Sequence, residues 1–231
     1  MSRSDTLDEI GSGPLSRGAA VVLWVLAITV LTAVLGGAPL TLVPFLAGDA
    51  SNAWLVGLLL VPMGPALAAA MFAWRRFVAE RDLQPVRHWV RGYRVNVLDV
   101  LRWWVPYVAV LSVVGFTLGN LDAAGVPAGY GVALVLVAAA LTLWAVLALA
   151  LSSRLSLRTR DVARLAAYYL AARPLVTLGL VSLLVLCAGI VWVTSDWVLV
   201  LLAGPLAFAL TTTTEPVVRD ATARFTAPAE D

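Results

Sequence analysis

Charge vanishes from this chain for one long interval after another. No Asp, Glu, Lys, Arg or His falls between Arg17 and Asp49, Asp49 and Arg75, Arg102 and Asp122, Asp122 and Arg154, Arg173 and Asp196, or Asp196 and Glu215. An α-helix rises about 1.5 Å per residue and a bilayer's hydrocarbon core is about 30 Å thick, so roughly 20 apolar residues cross it. Each of the six intervals is about that long or longer. The 231 residues are 61% hydrophobic and only 13% charged, with a mean hydropathy of +0.91, which leaves too little polar surface for a soluble domain. The fold class that follows is all-α, a polytopic membrane helical bundle in a single domain. It should hold about six transmembrane helices and two cytoplasmic interfacial amphipathic helices.

The predicted spans lie at about 19–44, 54–73, 103–120, 130–152, 175–194 and 197–214. A leader (1–18) precedes the membrane domain (19–214), a tail (215–231) follows it, and connectors occupy 74–102 and 153–174. The first interval contains Gly36, Gly37, Pro39 and Pro44, so its helix should tilt, kink or end in an irregular turn. Residues 21–30, "VVLWVLAITV", would also serve as the apolar stretch of a signal peptide. However, the leader "MSRSDTLDEI" carries three acids and the apolar run continues past Gly37, which favours an uncleaved first span.

Arginine sets the expected orientation. All 16 basic residues are arginine. Arg3 and Arg17 precede span one, and Arg75, Arg76, Arg81, Arg87, Arg91, Arg94 and Arg102 lie between spans two and three. Arg154, Arg158, Arg160, Arg164 and Arg173 separate spans four and five, and Arg219 and Arg224 follow span six. The three remaining loops hold only Asp49, Asp122 and Asp196. Basic residues concentrate on the cytoplasmic side of membranes, so both termini are expected in the cytoplasm of a multi-pass cell-membrane protein. Five or seven spans would scatter the arginines over both faces. Trp54, Trp74, Trp103, Trp104, Trp192 and Trp197 sit at span ends, as an aromatic belt requires, while Trp24 and Trp144 lie deeper.

The first connector reads as a helix. At about 100° per residue, Arg87, Arg91, Arg94 and Arg102 fall on one side. Val86, Trp89, Val90, Tyr93, Val97, Val100 and Leu101 fall on the other, and Pro85 suits the first turn. Such a basic amphipathic helix should lie in the interface and run into span three. The second connector echoes it with Arg160, Arg164, Leu165, Tyr168, Tyr169 and Leu170, ahead of Arg173 and Pro174. Two readings compete for these basic faces. One is anchoring, with the arginines snorkelling to headgroups. The other is recognition of anionic lipid or an acidic partner, at about 1 kcal/mol per arginine near a charged leaflet.

Two spans are punctuated alike. Pro62, Gly64 and Pro65 interrupt the second, and Gly204-Pro205 interrupts the sixth ahead of Thr211 to Thr214. A helical proline removes a backbone hydrogen bond and clashes with the preceding turn. The small residues that follow, Ala66, Ala68, Ala69 and Ala70, allow a neighbouring helix to approach. Broken helices in matching positions mark either packing kinks or a solute path.

Chemistry-bearing groups are sparse. There is no His-Glu-x-x-His pair, no cysteine cluster and no Gly-rich loop ending in Lys-Ser/Thr, and no Asp, Glu, Lys, Arg or His sits well inside a span. Cys187 is alone in an apolar run, and the single His88 lacks a second histidine, so it reads as an interfacial side chain. Asn96 and Asp99 form a polar interfacial pair suited to capping or to bonding Arg94 and Arg102. The sequence therefore predicts no enzyme, cofactor, metal or nucleic-acid partner.

The segments "GPALAAAMFAWRRF", "HWVRGYRVNVLDVL" and "LLAGPLAFAL", with the second arginine helix between the last two, resemble the YesL-like family of small bacterial membrane proteins. In that family a Gly-Pro-Ala helix precedes a basic, aromatic segment carrying an Arg-Asn or Arg-x-Asn element, here Arg94 and Asn96 separated by Val95. The resemblance implies an accessory or scaffold role beside an ABC-type carbohydrate importer, whose subunits would be the partners. The alternative is a small transporter or channel for an uncharged solute, running between the broken second and sixth spans.

Overall fold

The computed structural model describes residues 14–46, 50–80, 82–155 and 157–225; Arg3, Asp49, Arg81 and the stretch 226–231 lie outside them. The α-helices are α1 (Pro14–Thr32), α2 (Ala53–Leu60), α3 (Met63–Glu80), α4 (Pro85–Gly119), α5 (Ala128–Ser152), α6 (Thr159–Ala172), α7 (Pro174–Val193), α8 (Asp196–Leu201) and α9 (Ala203–Phe225). No strand forms among the described residues, and the chain is an all-α bundle.

Five helical segments are long and apolar enough to cross a membrane: Gly18–Phe45, Ala50–Glu80, Pro85–Gly119, Gly129–Ser152 and Pro174–Val193. Their outward faces agree with their composition. Helix α7 buries Val176 and Leu180 but leaves Leu175 83%, Val185 65% and Trp192 91% exposed. Water disfavours apolar surface by roughly 25 cal/mol per Å², and soluble monomers rarely show such continuous patches. Hydrocarbon imposes no such cost. This is the surface of a membrane protein.

The segment expected as a sixth span is divided. Helix α8 ends at Leu201, α9 begins at Ala203, and α9 runs unbroken through position 214 to Phe225, taking in Glu215, Arg219 and Asp220. Val217, Val218 and Ala221 are fully buried, so the boundary placed at 215 falls inside a packed helix rather than at the start of a tail.

Two further interruptions have local causes. Helix α1 widens into a π-turn at Ala33–Gly37 and then tightens into a 3-10 helix at Ala38–Phe45, which contains Pro39 and Pro44. Pro62, between α2 and α3, and Pro65, in the first turn of α3, have no N–H to donate. The Val61 N–H instead closes a tight turn on the Leu58 carbonyl at 3.2 Å, and Ala66 N–H reaches Pro62 O at 3.3 Å.

Helices α2 and α3 pack antiparallel to α4 along its whole length, with Ala50 against Gly119, Gly57 against Ser112, Gly64 against Trp104 and Phe72 against Gly92. With 35 residues, α4 is about 52 Å long at about 1.5 Å per residue, well beyond the roughly 30 Å hydrocarbon core. The amphipathic segment 85–102 is the leading half of one continuous helix that runs on into the apolar segment, as expected. On its apolar side Trp89 and Val100 are buried, whereas Val86 is left exposed. Helix α6 is a separate amphipathic helix; it buries Val162, Ala166 and Tyr169 and leaves Tyr168 exposed.

The tryptophans correct the expected belt. Trp54, Trp192 and Trp197 are exposed as anticipated, but Trp74, Trp103 and Trp104 are buried. Their indole N–H groups explain this, because each finds an acceptor on another helix. Trp74 donates to Gly204 O (3.0 Å), Trp103 to Ser152 Oγ (3.2 Å) and Trp104 to Leu60 O (3.1 Å). A satisfied indole gains more from packing than from a headgroup.

Candidate functional site

The Gly-Pro motifs are close crossings. A Cβ on Gly64 would lie 2.4 Å from the Trp104 ring, and one on Gly204 would lie 2.3 Å from Thr29 Oγ1 and 2.7 Å from Val25 O. Gly204 N–H, at the start of α9, donates to Thr29 Oγ1 at 3.1 Å. Pro65 is buried, Pro62 half-buried and Pro205 exposed. Rings and backbone from other helices fill the space beside both glycines.

Beside these crossings lies an apolar cavity of about 520 Å³. Gly37, Met63 and Ala203, one from each interrupted helix, border it together with Leu67, Val146 and Leu184. Its polar lining is limited to Thr32, Thr142, Cys187 and Asp196. Most of the lining suits an apolar or weakly polar guest, and Asp196 is its one charged group among the described residues.

Contacts bring Arg75 on α3, Arg173 after α6 and Arg224 on α9 to one end of the bundle, beside Ser153 at the end of α5. Some arginines there are structural. The Arg75 side chain is only 9% exposed; it donates to Ser153 Oγ from Nη1 and places Nε 3.5 Å from Glu215 Oε2, while its Nη2 has no hydrogen-bond partner among the described residues. Arg173 and Arg224 flank Asp220 at 3.3 and 3.2 Å, and Tyr169 donates its hydroxyl to the same carboxylate at 2.8 Å. Burial and the Asp220 carboxylate push the Tyr169 phenol up to about 12, and that hydrogen bond with the two guanidinium groups holds Asp220 below its usual range.

Other arginines are free of described carboxylates. Arg87, Arg91 and Arg94 are exposed on the leading half of α4, around a shallow groove with Val86, Val90 and Val95. Arg87 donates to the Gln84 side chain at 2.9 Å. Arg160 and Arg164 are exposed on α6, and none of these five forms an ion pair among the described residues. Arg102 differs, being paired with Asp99 at 2.7 Å. Asn96 turns inward instead of joining the polar flank; it is buried and donates to Gly92 O at 3.0 Å. The Arg94 and Asn96 side chains thus face opposite ways.

One grouping was missed by the sequence reading. His88 is buried, and its Nε2 lies 2.7 Å from Asp82 Oδ2 and 3.6 Å from Glu80 Oε2. Its ring stacks on Trp24, with centroids 5.9 Å apart, and Trp24 Nε1 donates to the Asp82 carbonyl at 2.8 Å. The search for a second histidine hid this cluster. The visible signal was two carboxylates just ahead of a Pro-started helix bearing the imidazole in its first turn.

No family model matches the chain, and neither does any curated protein or solved structure.

Proposed function

We propose that this membrane protein is a non-enzymatic scaffold whose Arg87, Arg91 and Arg94 face engages anionic groups at the cytoplasmic surface, either acidic lipid headgroups or an acidic partner protein. One observation carries the reading. These three guanidinium groups are exposed without described counter-charges, on a helix that continues unbroken into a spanning segment. The filled crossings at Gly64 and Gly204 support a packing role for the Gly-Pro motifs. Six crossings with both termini in the cytoplasm complete the proposal and rest on the arginine distribution. A place beside an ABC-type carbohydrate importer rests on the YesL-like resemblance alone.

Two experiments test this. Phosphatidylglycerol added to the purified protein should bind and stabilise it more than phosphatidylcholine does. The triple substitution Arg87→Gln, Arg91→Gln, Arg94→Gln should weaken that binding by about 3 kcal/mol, over a hundredfold. An unchanged lipid preference, together with unchanged co-purification from native membranes, refutes the scaffold role. For topology, Cys187→Ala protein carrying Arg160→Cys should resist an impermeant maleimide added outside, whereas Asp122→Cys should react. The reverse pattern overturns the orientation.

The apolar cavity favours a second reading, a carrier for an uncharged apolar solute. Cys187 lines the cavity and is the only cysteine in the chain, so it reports on occupancy. A transported solute should slow its modification by a lipid-soluble maleimide, whereas a pure scaffold would show no saturable protection.

A further inference from the structure

We infer that Glu80, Asp82 and His88 form a binding site for a divalent first-row transition ion such as Zn²⁺ or Co²⁺. The ligand atoms would be Glu80 Oε2, Asp82 Oδ2 and His88 Nε2, which all lie within 4.8 Å of one another. Neither the scaffold reading nor the carrier reading bears on this site.

Three observations set this grouping apart from a casual set of acids near a histidine. The first is convergence: both carboxylates aim one oxygen at the same ring nitrogen, at 2.7 and 3.6 Å. Ligands bound to one ion at about 2.0–2.2 Å sit roughly 3–3.6 Å apart, so little movement separates the present arrangement from coordination. The second is orientation of each donor by a companion contact. Glu80 Oε1 is held by Arg76 Nη1 at 2.5 Å, Asp82 Oδ1 accepts from Gln84 N–H at 3.3 Å, and the imidazole stacks on Trp24. Outer contacts of this kind fix ligands for metal binding and are nearly as important as the ligands themselves. The third is backbone anchoring, since the Trp24 indole holds the Asp82 carbonyl and so pins the turn that carries the carboxylates.

The donor set selects the guest. One neutral imidazole and two carboxylates are borderline-to-hard ligands that suit Zn²⁺, Co²⁺, Mn²⁺ or Fe²⁺, and the three would leave positions for water. Binding needs the Nε2 lone pair, so the neutral imidazole would carry its proton on Nδ1 and the ion would replace the His88 Nε2–Asp82 Oδ2 hydrogen bond. It would also lock the α3–α4 turn to α1 through the Trp24 stack.

The test uses the full chain purified without a polyhistidine tag, because His88 is the only histidine it contains. Calorimetric titration with Zn²⁺ should show one saturable equivalent. His88→Gln and Glu80→Gln should each weaken it by more than the roughly 10–100-fold that loss of an outer contact costs. Co²⁺ should quench part of the tryptophan emission in the wild type, and Trp24→Phe should remove that part. Glu80 is exposed, so Glu80→Gln retains the fold even where His88→Gln does not. Absence of a one-to-one site, or Zn²⁺ affinity unchanged in Glu80→Gln, overturns the inference and leaves a histidine–carboxylate hydrogen bond that only pins the turn.

Discussion

Replacing Gly64 by alanine should destabilise the protein, although alanine is the better helix former. An added Cβ would lie 2.4, 2.5 and 2.7 Å from three atoms of the Trp104 indole. Ordinary contact begins near 3.4 Å, so the ring or the helix must give by about 1 Å. Trp104 is 8% exposed and donates to Leu60 O at 3.1 Å, which leaves no loose end to absorb the shift. Overpacking of this kind costs about 1–3 kcal/mol, and loss of the indole hydrogen bond adds about 1 kcal/mol. The gain in helix propensity returns at most about 1 kcal/mol. The net loss is then about 1–3 kcal/mol. Reversible unfolding in mixed micelles would measure it, with Gly189→Ala as the control. Beyond its own turn of helix, nothing described lies within 4 Å of a Cβ at Gly189, so that variant should be neutral or slightly stabilising. The double variant Gly64→Ala, Trp104→Ala should be less destabilised than the two single losses added together, because the clash disappears with the ring. A Gly64→Ala protein as stable as the wild type, with additive behaviour in the cycle, refutes the close-crossing account.

Three other consequences follow from named contacts. Tyr169 is held neutral up to about 12, above its ordinary 10.0, so the stability it contributes is present below pH 10 and lost as pH rises from 10 towards 12. Asp220 is shifted the other way, so its contribution is present above its ordinary 3.8 and lost as pH falls below it; Tyr169→Phe should abolish the alkaline loss in a pH series of thermal melts. Glu215→Gln should cost about 3 kcal/mol by stranding the buried Arg75, whereas Arg75→Met combined with Glu215→Gln should cost less, as measured by unfolding of all three variants. Trp74→Phe should cost about 1 kcal/mol through loss of the bond to Gly204 O, with little effect on secondary structure by circular dichroism.

Which features could be read from sequence follows the range of the interactions behind them. Helices and apolar segments come from local pattern, so the all-α bundle and the start of α4 at Pro85 were legible. The irregular end of the first segment was legible too, because Gly36, Gly37, Pro39 and Pro44 disfavour a regular α-helix in place. The roles of individual side chains were not. Trp74 and Arg75 read as a belt residue and a stop signal, yet α9 supplies a carbonyl at Gly204 for one and a carboxylate at Glu215 for the other. Nothing within ten residues of Trp74 announces those partners. Asn96 reads as polar flank because helical spacing places it near Asp99, but Gly92 lets Phe72 approach so closely that the next turn is buried as well. His88 was discounted by counting histidines, when the decisive contacts came from Asp82 in a turn and Trp24 on α1.

The tryptophans and the interrupted helices belong to one arrangement. Breaking a helix in hydrocarbon strands backbone groups that no water can satisfy, at a cost of several kcal/mol each. In this bundle a side chain from another helix reaches each break. Trp104 donates to the Leu60 carbonyl at the end of α2, and Thr29 accepts the Gly204 N–H at the start of α9. Trp89 donates to Thr32 Oγ1, immediately before the π-turn, at 3.2 Å. All three breaks border the same apolar cavity. Its outline is therefore fixed by hydrogen bonds between helices rather than by loosely packed side chains. A carrier cycle that moved α9 against α1 and α3 would have to break the Thr29 and Trp74 bonds each time, which argues for a scaffold with a built-in cavity over an alternating-access machine.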